Sequence, residues 1–307
     1  MIEDIINIIS NTLISMVPLT LASVGEVITE KSGIVNIGLE GIFILSAFTS
    51  TIVTFHTADP YLGLISGIII GFLSGLLHGV ISIYLKGDQI IAGVGFNSLA
   101  YGVSLLSLVA IWRSHGSSPT VAKIPVILIP IGGYTKLSIP PLSIIAIIVG
   151  IAAWWWLYKT PSGLKIRACG EDPRSAEAMG VNVYSTRLYA TLIGSTLTGL
   201  GGAYLVVGWI GQFTKFISAG RGFIALANVA FSNWNPLYAL MGGVFFGFFD
   251  AISIYIPIKL QQTTGQVFTA EASLFRIIPY LTTLIVVGII MKKVRMPRAL
   301  GKPYIKE

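Results

Sequence analysis

The sequence predicts an all-α polytopic integral membrane protein with about nine transmembrane helices (range roughly 8–10) and a cytoplasmic C-terminus. Of its 307 residues, 54% are hydrophobic and only 11% are charged, and the mean hydropathy is +0.81. Soluble domains have about 25% charged residues, so a water-soluble globular protein is ruled out. Apolar stretches of about 20 residues, the length that crosses a bilayer, recur along the whole chain.

Apolar windows are separated by charged residues or by clusters of Pro and Gly. They cover roughly residues 5–24, 37–56, 61–85, 89–112, 141–158, 188–208, 218–233, 237–257 and 276–291. Residues 1–307 are therefore expected to form a single membrane domain. The seventh window is the weakest, because it holds Arg221, Asn228 and Asn233 and ends in Trp234-Asn-Pro236. It is either a span or a re-entrant segment buried in protein.

The distribution of Lys and Arg predicts the orientation. With the N-terminus outside, most basic residues lie on the cytoplasmic side, as the positive-inside rule requires. The bias is clearest in the loop 159–187 and in the tail 292–307, so both are predicted to be cytoplasmic. The acidic start, Met1-Ile-Glu-Asp, lacks the basic region of a cleaved signal peptide, and we expect the first window to be a retained span.

Two long segments lie between spans. Residues 113–140 are rich in Ser, Gly and Pro and predict an ordered outer loop rather than a helix. Residues 159–187 predict a short cytoplasmic helix of about seven residues, because Asp172 can cap it, Pro173 suits its first position and Gly180 can close it.

A stripe of glycines at intervals of four marks the third window. Such small-xxx-small steps let a second helix backbone approach closely in lipid. We expect the stripe to serve helix packing rather than to line a pathway. Its members are Gly63, Gly67, Gly71, Gly75 and Gly79.

Polar side chains inside apolar windows raise the free energy of insertion into a bilayer and rarely face lipid. Asn97, Asn228 and Asp250 are our candidates for a polar translocation path. The alternative is that they pair inside the bundle. Glu40 is expected to be structural and to hold the preceding loop to the start of the second span.

Several functional classes have no support in the sequence. The single cysteine, Cys169, and three scattered histidines provide no metal site and no redox pair. The chain has no phosphate-binding P-loop and no visible catalytic set, so we expect a non-enzymatic protein that binds no cofactor. If ATP drives transport, it is used by partner subunits. An ion channel is disfavoured because the chain has neither an Arg-rich voltage sensor nor a Gly-Tyr-Gly filter.

Two segments carry a resemblance to a known family. Glu30-Lys-Ser-Gly-Ile-Val-Asn-Ile-Gly-Leu-Glu-Gly41 closely resembles a stretch of the permease (transmembrane) subunits of ABC importers for nucleosides and simple sugars. Gly170-Glu-Asp-Pro-Arg-Ser-Ala-Glu-Ala-Met-Gly-Val181 is similar to the cytoplasmic coupling segment of the same superfamily, which includes ribose and branched-chain amino acid permeases. Gly222-Phe-Ile-Ala-Leu-Ala and Trp234-Asn-Pro236 extend the likeness, which covers about residues 18–255.

The resemblance implies a permease in the plasma membrane of a prokaryote that imports nucleosides by alternating access. The implied partners are a second permease subunit, identical or a paralogue, a cytoplasmic tandem-cassette ATPase, an extracytoplasmic substrate-binding lipoprotein and the lipid bilayer; no nucleic acid is implied. The residues implied to couple to the ATPase are Glu171, Asp172, Pro173, Arg174, Glu177 and Gly180.

Three other readings remain open. The same machinery could import a simple sugar such as ribose, because the binding protein rather than the permease chooses the solute. A secondary transporter driven by an ion gradient would show inverted repeats with broken helices, and the sequence has no convincing repeat. A membrane scaffold is disfavoured by the polar residues retained within spans.

Overall fold

A computed structural model describes residues 2–131, 136–264, 274–275, 277–290 and 295–306. Helices dominate this part of the chain, and one β-hairpin interrupts them. The helices are α1 Ile2–Lys31, α2 Leu39–Thr57, α3 Pro60–Gly79, α4 Gln89–Trp112, α5 Pro141–Lys159, α6 Pro161–Glu171, α7 Pro173–Ala178, α8 Val183–Tyr204, α9 Arg221–Phe231, α10 Pro236–Thr264 and α11 Ile278–Ile290. The strands are β1 Ile127–Pro130 and β2 Lys136–Ile139. A π-helical turn extends α3 over Val80–Tyr84, and another extends α8 over Leu205–Ile210.

Among the described residues, seven helices are long and apolar enough to cross a membrane: α1 to α5, α8 and α10. The polytopic membrane architecture is therefore as predicted. The seventh window instead forms α9, which has 11 residues and is about 16 Å long at 1.5 Å per residue. The described helix of the ninth window, α11, has 13 residues. α9 does not reach the length of about 20 residues that a full span needs. Residues 276 and 291–294, which border α11, lie outside the described part of the chain.

The centre of the bundle is the antiparallel pair α1 and α8. A Cβ atom on Gly25 of α1 would lie 2.5 Å from the carbonyl oxygen of Gly194 in α8, so only glycine permits this approach. Farther along the same two helices, Gly201 lies against Pro18. In α8, 72% of the most apolar window is buried, compared with 17% in α4. Most of the surface of α4 is therefore left to lipid or to another chain.

The glycine stripe of α3 faces α2 and α8. A Cβ atom on Gly63 would lie 2.0 Å from Thr54 Oγ1 in α2, and one on Gly71 would lie 2.5 Å from the carbonyl oxygen of Ser195 in α8. The helix axes can come this close because no side chain intervenes. The remaining members of the stripe, Gly67, Gly75 and Gly79, meet Ala203, Ser195 and Leu188 of α8.

Both long segments between spans have more structure than predicted. The segment 113–140 contains the antiparallel hairpin of β1 and β2, in which Ile127 pairs with Ile139; residues 132–135 lie outside the described part. The segment 159–187 contains α6 in addition to the predicted short helix. Thr160 starts α6, because its hydroxyl oxygen accepts a hydrogen bond from the backbone N–H of Gly163 at 3.2 Å.

Candidate functional site

The predicted short helix in the 159–187 segment is confirmed as α7. Asp172 caps it: Oδ1 accepts from the backbone N–H groups of Arg174 at 3.1 Å and Ser175 at 3.2 Å, and Oδ2 accepts from Ser175 Oγ at 2.6 Å. These bonds, foremost the one from the Ser175 hydroxyl, hold the pKa of Asp172 below its ordinary value. Pro173 is the first residue of the helix, and Gly180 follows it with a φ of +82°.

α7 lies on the surface at the end of the bundle where α1 ends and α8 begins. Ala176 is its only buried residue and packs with Cys169, Val183 and Tyr304. Met179, at the end of the helix, is 85% exposed. A short helix that shows most of its surface beyond the ends of the spanning helices can contact a second protein.

The C-terminal tail lies against α7. The Tyr304 hydroxyl donates a hydrogen bond to Glu177 Oε2, and Lys306 Nζ lies 3.3 Å from Glu177 Oε1. The bond from Tyr304 is the main reason that the pKa of Glu177 is lowered, and the same bond raises the pKa of Tyr304 to about 12. Glu177, predicted to couple to the ATPase, is thus also the anchor point of the tail.

Arg187, near the start of α8, is 1% exposed and joins three segments. Its guanidinium donates to the carbonyl oxygens of Ser32 at 3.0 Å, Lys302 at 3.1 Å and Cys169 at 3.3 Å. Sequence analysis missed this residue, because it looked like one more basic residue of a cytoplasmic loop. The close approach of Gly33, with a φ of +99°, leaves room for the guanidinium.

Arg221 and Asp250 form a largely buried charged pair between α9 and α10. Asp250 is the middle residue of α10, and Arg221 is the first residue of α9. Arg221 Nη2 lies 2.9 Å from Asp250 Oδ2, with both side chains largely buried, and the guanidinium stacks over the ring of Trp209 at 4.6 Å. Since each charge has a partner, the pair can exist in a low-dielectric environment.

A cavity of about 310 Å³ adjoins this pair. It is bordered by aromatic and hydroxyl side chains as well as by the charged pair. Its lining includes Trp209, Phe216, Arg221, Asp250, Ser253 and Tyr280. Apolar and aromatic side chains together with a few polar groups are typical of a site for a small solute.

Glu40 holds the start of α9. Its Oε1 accepts from Ser218 Oγ at 2.5 Å and from the backbone N–H of Gly220 at 2.9 Å, while Oε2 accepts from the N–H of Gly222 at 2.8 Å. Glu40 is therefore structural, as predicted, but its partner is different. The carboxylate binds the N-terminus of α9, where backbone N–H groups lack helical partners. It does not hold the loop before α2.

That loop is held by Asn97. Its Oδ1 accepts from the N–H of Gly41 at 2.7 Å, and its Nδ2 donates to the carbonyl oxygen of Ile37 at 3.0 Å. Asn97 also borders a second cavity, of about 340 Å³, together with Glu40 and Phe216. Asn97 thus lies at a cavity, but both the oxygen and the nitrogen of its amide are already hydrogen-bonded to backbone groups.

Asn228 is fully buried and links α9 to its neighbours. Its Nδ2 donates to Ser23 Oγ and to the carbonyl oxygen of Ala239, both at 2.8 Å. The three path candidates therefore do not share one cavity: Asp250 borders the first, Asn97 borders the second and Asn228 packs between helices. Phe216, which the sequence did not single out, is 65% exposed and borders both cavities.

The non-helical segment 211–220 brings the chain to these cavities. At one end, Phe213 and Ser118 exchange hydrogen bonds of 2.9 and 3.0 Å with each other. At the other end, Gly220 is held by Glu40, and α9 then leads to Trp234, whose indole donates to Glu30 in the last turn of α1. Residues 211–234 therefore pass from the far end of the bundle to the end that carries α7. Non-helical backbone at such depth is tolerated where it is buried in protein or lines a cavity.

A bundle of apolar helices that keeps a largely buried charged pair beside a cavity is typical of a membrane transport subunit. The family described as "Branched-chain amino acid transport system / permease component" matches residues 8–287. The chain belongs to this family of permease components and is a multi-pass protein of the cell membrane.

Curated relatives match most or nearly all of the chain. The nucleoside ABC transporter permease protein NupC of Lactococcus lactis subsp. cremoris (strain MG1363) is 34% identical over 317 residues, covering 97% of this chain and 96% of the relative. The guanosine ABC transporter permease protein NupQ of Bacillus subtilis (strain 168) is 36% identical over 325 residues, covering 99% of each chain. The putative glucose ABC transporter permease protein TsgC13 of Haloferax volcanii is 32% identical over 246 residues, covering 77% of this chain and 73% of the relative. No solved structure matches the chain.

Proposed function

We propose that the chain is the membrane permease subunit of an ATP-driven ABC importer and forms the translocation path for nucleosides. The observation that carries the proposal is the 36% identity, over 99% of both chains, to a guanosine ABC transporter permease. A second relative, a nucleoside permease matched over 97% of this chain, supports the same solute class. The cavity lined by Trp209, Phe216 and Tyr280 is compatible with a solute that carries a planar base.

The proposed topology has the N-terminus outside and about nine crossings, two of which use α9 and α11. The end that carries α7 and the tail is then cytoplasmic, as its basic residues favour. The proposed partners are a second permease subunit, identical or a paralogue, a tandem-cassette ATPase and an extracytoplasmic substrate-binding lipoprotein. The chain itself has no catalytic role and binds no cofactor; ATP is used by the ATPase.

The proposed mechanism is alternating access. Closure of the ATPase cassettes moves α7, and the bundle then reorients around the cavities beside Asp250 and Asn97. Arg221 neutralises Asp250 at 2.9 Å, so the path would present hydrogen-bonding groups without a net charge. Such a lining suits an uncharged polar solute better than an ion, which would need uncompensated charge or several oxygen ligands.

The coupling role of α7 can be tested by exchanging the order of residues 172–177 in the full importer. The scrambled helix loses the Asp172 cap and the order of side chains that α7 presents on its surface, so we expect the ATPase to stop co-purifying with the chain and ATP-driven uptake to cease. A Lys165→Ser variant, which changes an exposed residue of the neighbouring α6, serves as the control. A normal complex and normal uptake in the scrambled variant would overturn the assignment.

A simple sugar is the second candidate solute, favoured by the similarity to the glucose permease TsgC13. Competition for uptake separates the two. We expect excess unlabelled adenosine to block entry of labelled guanosine, whereas excess glucose or ribose leaves it unchanged. Inhibition by the sugars together with indifference to adenosine would favour a sugar importer.

A further inference from the structure

We propose that the C-terminal tail, residues 295–306, is a second part of the coupling element, and that Tyr304 is the positioning residue that ties α7 to the bundle. This inference rests on the proposed function, because it assigns the tail a part in ATP-driven transport. The sequence predicts only that the tail is cytoplasmic. In the structure the tail contacts both α7 and the end of the bundle, so it can connect the two.

On one side, the tail holds α7. Tyr304 is 6% exposed and packs with Ala176, the buried residue of α7. Its hydroxyl donates to Glu177, which also pairs with Lys306 at 3.3 Å. Tyr184, in the first turn of α8, donates to the carbonyl oxygen of Tyr304 at 3.3 Å. Both the ring and the hydroxyl of Tyr304 therefore contribute to the position of α7.

On the other side, the tail is joined to the end of the bundle. The N–H of Ala299 donates to the carbonyl oxygen of Gly170 at 2.9 Å, and the N–H of Gly301 donates to that of Gly33 at 3.0 Å. Arg187 donates to the carbonyl oxygen of Lys302 at 3.1 Å. The tail thus bonds to the end of α6, to the turn after α1 and to α8, which are the elements that α7 would have to move.

A helix of six residues cannot keep its own orientation, because short helices are unstable without tertiary packing. α7 buries one side chain, Ala176, so its other attachments decide how firmly it is held. Displacement of α7 by an ATPase is then passed through Tyr304 and the tail to α1 and α8. Without this link, the ATPase would still bind the surface of α7, but the displacement of α7 would move α1 and α8 less.

The test is a Tyr304→Phe variant in the reconstituted importer, with labelled guanosine as the probe. We expect the maximal rate of ATP-driven uptake to fall about tenfold, while KM and co-purification of the ATPase change less than about twofold, since coupling is lost and binding is not. Tyr61→Phe removes the same hydroxyl from an exposed ring at the start of α3 and should change nothing. Glu177→Ala removes the acceptor for the Tyr304 hydroxyl and should lower the maximal rate as Tyr304→Phe does.

A second measurement needs no solute. Hydrogen–deuterium exchange of the amides of residues 175–181, in the full chain in lipid nanodiscs, should become several-fold faster in Tyr304→Phe and stay unchanged in Tyr61→Phe. Unaltered exchange together with an unaltered uptake rate would overturn the inference. If the wild-type importer takes up no guanosine, the proposed solute is wrong, and the amide exchange alone then decides whether Tyr304 holds α7.

Discussion

Arg187 Nη1 donates a hydrogen bond to the carbonyl oxygen of Lys302 at 3.1 Å, joining residues 115 positions apart in the chain. Its other two nitrogens, Nε and Nη2, donate to the carbonyl oxygens of Ser32 and Cys169. One buried side chain therefore ties together the end of α1, the end of α6, the start of α8 and the tail. The cytoplasmic end proposed for the bundle is assembled around this group.

Replacing Arg187 should destabilise the protein. An Arg187→Met variant keeps much of the buried volume but removes the donor from the carbonyl oxygens of the buried residues Ser32 and Cys169. Each unsatisfied buried group costs about 1–3 kcal/mol. We expect a clearly lower Tm in detergent, measured by the change in tryptophan fluorescence. Lys165→Met, at an exposed position of α6, is the control and should melt like the wild type. Equal melting of the two variants would mean that the Arg187 bonds contribute nothing to stability.

The glycine stripe permits a matched pair of substitutions. A Cβ atom on Gly71 of α3 would lie 2.8 Å from Gly199 Cα, whereas one on Gly95 of α4 meets nothing within 4 Å. We expect Gly71→Ala to lower Tm because α3 and α8 must separate, and Gly95→Ala to leave it unchanged or raise it slightly, since alanine favours helix by about 1 kcal/mol. A tolerated Gly71→Ala would show that the close contact between the helices is dispensable.

Glu40 should be needed for the fold around α9. In Glu40→Gln, one oxygen becomes an amide nitrogen that cannot accept from the N–H groups of Gly220 or Gly222. Loss of a hydrogen bond to a charged group costs about 1.5–3 kcal/mol. We therefore expect Glu40→Gln to unfold at a lower temperature, whereas Glu3→Gln, exposed at the start of α1, does not. The same melting temperature in both variants would contradict the assigned role.

The Asp172 cap should make α7 sensitive to acid. Its pKa is lowered in the folded protein, so its contribution is complete above the unfolded value of about 3.9 and is lost as the pH falls through the folded value. Amide exchange of residues 175–181, corrected for the intrinsic effect of pH, should accelerate on acidification in the wild type. Asp172→Asn still caps the helix but cannot titrate, so its corrected exchange should accelerate less than that of the wild type. The remaining acceleration would come from Glu177, whose pKa is also lowered. An equal acceleration in this variant would assign the effect to another group.

Local chemistry is what the sequence could predict. Apolar windows identified the long helices, because twenty apolar residues have few alternatives to a membrane span. Asp172, Pro173 and Gly180 predicted the start and end of α7, since caps act within a few residues of themselves. The regular spacing of glycines in α3 indicated close packing, although not which helices it would meet.

Long-range contacts leave no such signal. The sequence around Arg187 does not indicate that it contacts Lys302 in the tail, and the sequence around Tyr304 does not indicate that it contacts Glu177 in α7. In each pair the two residues are more than 100 positions apart. The only sequence features that indicated an irregular seventh window were Arg221, Asn228 and Asn233. Glu40 was correctly expected to be structural, but its partners at the start of α9 could not be found without the fold.

ATP-driven entry of a nucleoside through this chain is most directly tested by uptake of labelled guanosine in cells with and without the chain. ATP is depleted in half of the samples while the membrane potential is held constant. We predict that uptake requires the chain and stops on ATP depletion. Uptake that survives ATP depletion but collapses with the ion gradient would contradict an ABC importer and indicate a secondary transporter.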